Sequence, residues 1–255
     1  MGLCEKPCYI QQLHFNKFHI AHYTLDEWRI MQSEVERANQ VLNILRENLT
    51  LPKWVSSRSS DFETLVVTVI SQNTADRNTA RAFEKLSKKF PVTPEALSKA
   101  PTSEIEKALK VAGLYRNKAR IIKKLAKIVM ERFNGSLDFI HEMPFEKARK
   151  ILIDLPGIGP KTADVLLLFR AKKPTIPIDT HIKRVSKRLG FAAPNADYEE
   201  IRDCLQKLYN PKDYFEVHIL LIMLGRRYCK ARNPKCQECP VNRLCPTGLE
   251  RLKNA

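Results

Sequence analysis

The sequence predicts an all-α fold. Apolar residues recur at intervals of three and four along segment after segment, and helix-start signals stand where such segments begin. No pair of alternating β-branched runs is joined by a hairpin turn. Taken in order, LDEWRIMQSEVERANQVLNILRENL (25–49) sets Trp28, Met31, Val35, Ala38, Val41, Leu42 and Leu45 at helical spacing. FETLVVTVISQ (62–72) is apolar enough for a buried helix, with a strand as the alternative by pattern alone. Thr93 followed by Pro94 opens a helix. Ser103 with Glu106 forms a capping-box pattern, and Gly113 follows where that helix should stop. RNKARIIKKLAKIVMERF (116–133) is amphipathic and basic and ends before Asn134-Gly135. Further helices fit 146–154, 161–171, 180–190, 198–209 and 214–228. The prolines of AKKPTIPI (171–178) mark a junction. Residues 1–24 carry His14, His19 and His22 without a helical stripe and read as an exposed extension, with metal binding as the alternative.

A chain of 255 residues has room for one or two domains with an apolar core. Its 44 Lys and Arg against 28 Asp and Glu give a net charge of +16, which suits a polyanionic partner, nucleic acid ahead of a membrane surface. The longest apolar stretches, LVVTVI (65–70) and ILLIML (219–224), fall far short of the ~20 residues that span a bilayer. The start has no apolar signal region. The expectation is a soluble intracellular protein with no membrane partner. Seven cysteines, odd in number and crowded at one end, point to metal binding ahead of disulfides.

Two segments carry chemistry. In LPGIGPKTADVLLLF (155–169), Pro156, Gly157, Ile158 and Gly159 join two helices. Glycines there let backbone N–H groups face outward together, and the next helix begins near Pro160, Lys161 and Thr162 with its positive dipole end pointing the same way. This makes an anion site suited to a DNA phosphate, with Ile158 packing inward; an ordinary helix connection is the alternative. At the other end, Cys229, Cys236, Cys239 and Cys245 are spaced C-x6-C-x2-C-x5-C. Four thiolates can surround Zn²⁺ or an iron–sulfur cluster. One CxxC knuckle, irregular gaps, and Pro240 and Pro246 just after two cysteines suit wrapping around a [4Fe–4S] cubane. The loop KARNPK (230–235), with Arg232 and Lys235, offsets the cluster's negative charge and offers cations to phosphates. Cys4, Cys8 and Cys204 are not expected to be ligands.

Three features coincide in order: LPGIGPKTADVLLL, PTIPIDTHIKRVSKRLGF and the four-cysteine tail. Together they resemble endonuclease III, of the helix–hairpin–helix DNA glycosylase superfamily. SDFETLVVTVISQNTAD (60–76) and GLYRNKARII (113–122) are similar to that family's corresponding segments, so the likeness covers roughly residues 30–247. The resemblance implies two helical lobes with a DNA-binding cleft, base excision repair and a [4Fe–4S] cluster. It divides the chain into the extension 1–24, a helical-barrel domain at 54–173 holding the helix–hairpin–helix, and an iron–sulfur domain from 25–53 plus 174–255.

In that family the position of Lys161 decides the chemistry. A lysine there resembles the bifunctional members, which remove a base and then cut the backbone by β-elimination, and Asp179 matches the family's catalytic aspartate. The two are 18 residues apart. The intervening helix is about 16 Å long, and the connector can reach back roughly 26 Å, so the pair can meet. An ordinary lysine, with a pKa of about 10.4, must first lose its proton. A helix N-terminus, neighbouring cations and dehydration by bound DNA all disfavour that proton. The neutral amine can then attack C1′ of a flipped nucleotide and form a Schiff base. Asp179 can stabilise the cationic sugar, although its own charge would hold the proton on a nearby amine.

By the same resemblance, Gln72 or Asn73, together with Leu114, would fill the gap left by the extruded base. His181 lies beside the catalytic Asp or serves in helix packing. Pro160 stands where many relatives have a basic residue, and Asp164 replaces a common Asn; these departures bear on lesion preference. The expected activity is a bifunctional glycosylase and AP lyase for oxidised pyrimidines such as thymine glycol. The alternatives are a glycosylase for T or U opposite G and a non-catalytic DNA-binding protein. The expected partner is double-stranded DNA with damaged bases or abasic sites. The protein should be a monomer, cytoplasmic and nucleoid-associated, or nuclear in a eukaryote.

Overall fold

The structure, a computed structural model, describes residues 25–52 and 60–254. The expectations for residues 1–24, with their three histidines and Cys4 and Cys8, and for the side chain of Trp28 lie outside the described residues. The described residues contain thirteen α-helices and no strand. They divide into two compact units, one Ser56–Lys173 and the other Met1–Val55 with Pro174–Ala255.

The first unit holds α2 (Asp61–Ser71), α3 (Asp76–Lys89), α4 (Pro94–Lys99), α5 (Thr102–Leu109), α6 (Tyr115–Phe133), α7 (Phe139–Glu142), α8 (Phe145–Ile153) and α9 (Pro160–Phe169). α2 is the helix of the two alternatives its pattern left open. Ser60 accepts from the Glu63 N–H while the Glu63 carboxylate accepts from the Ser60 N–H, a closed capping box. Phe62, Leu65, Val66, Val69 and Ile70 are buried, each large aliphatic worth about 2 kcal/mol. Ala119, Ile122, Leu125, Ala126 and Val129 of α6 join them, and Ile158, Ala163, Leu166 and Leu167 of the hairpin and α9 close the same core.

The second unit holds α1 (Leu25–Asn48), α10 (Thr180–Arg188), α11 (Tyr198–Leu208), α12 (Tyr214–Arg227) and α13 (Pro246–Lys253). Ala38, Val41, Leu42 and Leu45 are buried on the face of α1 that meets α11 and α12. Arg37 ties this unit together: its guanidinium donates to the carbonyls of Leu189 at 2.7 Å and Leu244 at 3.0 Å and lies over the Phe191 ring. Cys204 is buried in α11, away from the other thiols in sequence.

Three helices escaped the sequence pattern. α3 buries only Thr79, Ala82 and Leu86, so its apolar stripe is thin. α7 is one turn and α13 buries only Gly248. Ser103 is not a cap but lies inside α5, which starts at Thr102 after Pro101, whose φ of −60° sets the entry and whose carbonyl accepts from Glu104 and Ile105. Among the described residues no helix is long and apolar enough to cross a membrane.

Candidate active site and metal centre

The turn between α8 and α9 is built to leave donors free. Gly157 has φ +75°, in the left-handed region, and a Cβ there would lie 2.7 Å from Ile121 of α6. Ile158 is buried and anchors the turn, and its N–H bonds the Leu155 carbonyl. α9 then begins with Gly159 as N-cap and Pro160 at the first position, and no side chain caps it. The N–H groups of Gly157, Gly159, Lys161 and Thr162 have no protein acceptor among the described residues. Free donors at the positive end of a helix can take an anion.

Lys161 is exposed on the first turn of α9, with no ion pair or hydrogen bond among the described residues. Thr162 points the other way: it is buried, and its hydroxyl lies 3.4 Å from Gln72 Nε2. Behind them Asp164, fully buried, takes Arg149 of α8 through two hydrogen bonds of 2.7 and 3.2 Å. Asp164 is therefore a brace between the two helices of the hairpin, a role its sequence position did not reveal.

Gln72 and Asn73 part company. Gln72 Nε2 donates to the Gly157 carbonyl at 3.0 Å and so holds the hairpin turn. Asn73 is exposed and left-handed, at φ 52°. Leu114 matches it, with φ 46° and 64% of its surface exposed. A leucine in that backbone region and open to water is strained and unburied at once. The Thr74 hydroxyl, one residue from Asn73, bonds the Ala112 carbonyl, two residues from Leu114, so the two loops are joined.

In the second unit Asp179 is the N-cap of α10. Its Oδ1 accepts from the Ile182 N–H at 2.7 Å, which fixes the carboxylate, and Oδ2 has no partner among the described residues. His181 packs against Gly225 so closely that a Cβ on that glycine would lie 2.8 Å from the His181 Cβ. Its Nδ1 lies 3.1 Å from Arg184 Nη2. Burial is the main force lowering the His181 pKa; Arg184 and Arg226 add to it and Asp179 opposes it. Nδ1 is then the acceptor and Arg184 the donor. Arg184 also donates to the carbonyls of Gly225 and Cys229, which ties α10 to the cysteine segment.

Cys229, Cys236, Cys239 and Cys245 line one cavity with Arg188, Tyr228 and Asn242. No three His, Cys, Asp or Glu side chains among the described residues converge on a single ion. Four thiols spread around a space suit a multi-iron cluster better than one tetrahedral zinc. Burial pushes the Cys239 thiol up to about 11 and raises Cys245 as well. Thiolates there depend on the charge of bound iron. Arg188 donates to Cys229 Sγ at 3.4 Å and to the carbonyls of Lys230 and Ala231, shaping the loop that exposes Arg232. Lys235 is exposed too, paired with Glu238 at 2.9 Å.

Comparison with known proteins agrees over most of the chain. Residues 66–211 match the HhH-GPD superfamily of base excision DNA repair proteins, and residues 229–245 match the iron–sulfur binding domain of endonuclease III. The group held by this second segment is a [4Fe–4S] cluster. Endonuclease III of Sulfolobus acidocaldarius is 37% identical over 227 residues, 85% of this chain and 99% of that protein. A non-covalent endonuclease III–DNA complex superposes with a TM-score of 0.76 at 32% identity, over 86% of this chain and 98% of that one. A trapped covalent endonuclease III–DNA intermediate gives 0.74 at 31%, over 87% and 98%. The chain belongs to the endonuclease III family of the HhH-GPD superfamily and is a base excision repair DNA glycosylase.

Proposed function

We propose that this glycosylase is bifunctional, removing oxidised pyrimidines such as thymine glycol from double-stranded DNA and then cutting the strand at the abasic site. The observation that carries this reading is Lys161, an exposed amine without a partner among the described residues, beside the unpaired N–H groups of the glycine turn. The neutral Nζ attacks C1′ with its lone pair as the C1′–N bond breaks, and the base departs with that bond's electrons and a proton. The proton shed by the amine passes to the departing base, and opening of the C1′–O4′ bond, with O4′ taking a proton from water, leaves a protonated Schiff base. It acidifies C2′, whose proton is removed as the C3′–O bond to phosphate breaks. Water then hydrolyses the imine and frees the lysine. Because the amine that attacks is also the one that makes the imine, base release and strand cutting share one residue. A T or U mismatch enzyme without lyase activity has no use for this amine.

Asp179 is assigned to stabilising the positive sugar as the base leaves. Its cap bond to Ile182 leaves Oδ2 for that task. The hairpin N–H groups, with Pro156, Gly157, Ile158 and Gly159 as their frame, take a phosphate; Arg232 and Lys235 take others. Asn73 and Leu114 enter the emptied stack, while Gln72 supports the hairpin. Cys229, Cys236, Cys239 and Cys245 are the cluster ligands, and the bound cluster supplies a rigid cross-link beneath the basic loop. The partner is one DNA duplex per monomer, in the nucleoid or the nucleus. The endonuclease III complexes with DNA, one of them covalent, support this assignment.

The test separates base release from nicking in a single turnover on a duplex carrying one thymine glycol. The parent protein should produce both together, and Lys161→Gln should lose both while duplex binding survives. Nicking retained by Lys161→Gln would overturn the proposal.

A further inference from the structure

A buried ammonium is tolerated only where its donors are satisfied. Lys118 of α6 is 2% exposed. Its Nζ donates to the Ile70 carbonyl at 2.7 Å, to the Ala112 carbonyl at 3.0 Å and to the Thr74 hydroxyl. Three donors meet three acceptors. Ile70 lies in the last turn of α2, and Ala112 closes the short 3₁₀ turn Lys110–Ala112, so the cation caps two helix ends, where the last carbonyls have no partner within the helix. Thr74 completes the arrangement by accepting from Lys118 and donating to Ala112. Burial lowers the Lys118 pKa, and a neutral amine, with only two N–H donors, would lose one of the three bonds.

These acceptors flank the two strained residues. Asn73 sits between Ile70 and Thr74 on one loop, and Leu114 follows Ala112 by two residues on the other. Both are left-handed and exposed, a state that persists only where the surroundings over-determine it. We propose that Lys118 is a positioning residue: its ammonium fixes the spacing of Asn73 and Leu114, so that both enter the gap of an extruded nucleotide together. This role rests on the assignment of those two side chains to gap filling. An arginine could not replace it, because a planar fork does not send donors from one nitrogen to three separate acceptors.

The experiment compares single-turnover excision on a duplex with one thymine glycol in the parent, Lys118→Met, Asn73→Ala with Leu114→Ala, and all three changes together. Thermal melting confirms that each protein is folded. Lys118→Met should slow excision about 10–100-fold, the scale of a small misplacement of a reacting group. It should add little in the triple variant, where the side chains it positions are gone. Additive losses would mean a merely structural lysine and overturn the role. A parental rate in Lys118→Met overturns it while leaving the gap-filling assignment intact. A parental rate in the Asn73→Ala, Leu114→Ala protein overturns both. If Lys118→Met does not fold, Thr74→Val removes only the hydroxyl link and should slow excision several-fold; an unchanged rate would again overturn the role.

Discussion

Arg149 and Asp164 form a two-point ion pair across the helix–hairpin–helix, with Nε–Oδ1 at 2.7 Å and Nη2–Oδ2 at 3.2 Å. Asp164 is wholly buried, so removing Arg149 takes the ion-pair partner from a carboxylate held out of water. Arg149→Met should therefore destabilise the protein by about 3–5 kcal/mol, read from urea unfolding. A loss below about 1 kcal/mol would mean that the pair behaves like an exposed one.

Gly157 tests the hairpin from its backbone. A side chain there meets both a positive φ and Ile121 at 2.7 Å. Gly157→Ala should cost about 1–3 kcal/mol of stability and weaken duplex binding, because the turn that aims the N–H groups must shift. Binding measured by fluorescence anisotropy at one fixed salt concentration should fall; unchanged affinity would remove the turn from the DNA interface.

His181 sets a pH dependence. Its pKa lies below the ordinary 6.5, so between the two values the unfolded chain holds more protons than the folded one. Its contribution to stability is therefore intact above about pH 6.5 and is lost as pH falls through and below that value. Protonation also turns Nδ1 from acceptor to donor and ends the bond from Arg184. Urea midpoints taken from pH 7.5 downward should fall more steeply in the parent than in His181→Asn. Parallel curves would show that another group sets the slope.

The cysteine segment makes a visible prediction. Cys239→Ser should abolish or sharply weaken the yellow-brown absorbance of the purified protein and lower its melting temperature, since cluster binding is also folding energy. A colourless parent protein that contains zinc would reverse the reading of the cavity.

Periodicity reached the elements whose buried stripes are broad. α2, α6 and α9 bury five to six residues apiece, and the pattern of those residues is written locally. α3 stayed hidden behind Thr79, Ala82 and Leu86, and Ser103 misled because a capping-box spacing also occurs inside a helix. The residues that position the site were the least legible. Lys118 reads as one more cation on a basic helix, and only acceptors 48 and 44 positions away in sequence show it to be buried. The division of labour between Gln72 and Asn73 likewise depends on a carbonyl 85 residues distant from the glutamine. Spacing does reveal Lys161 at a helix start and Asp179 as a cap, because both are local features of their own turns.

The most direct measurement is chemical. An abasic duplex mixed with the protein and reduced with borohydride should yield a stable protein–DNA adduct, and peptide mapping should locate the reduced link on Lys161. An adduct on any other residue, or none at all while the strand is still cut, would contradict the account.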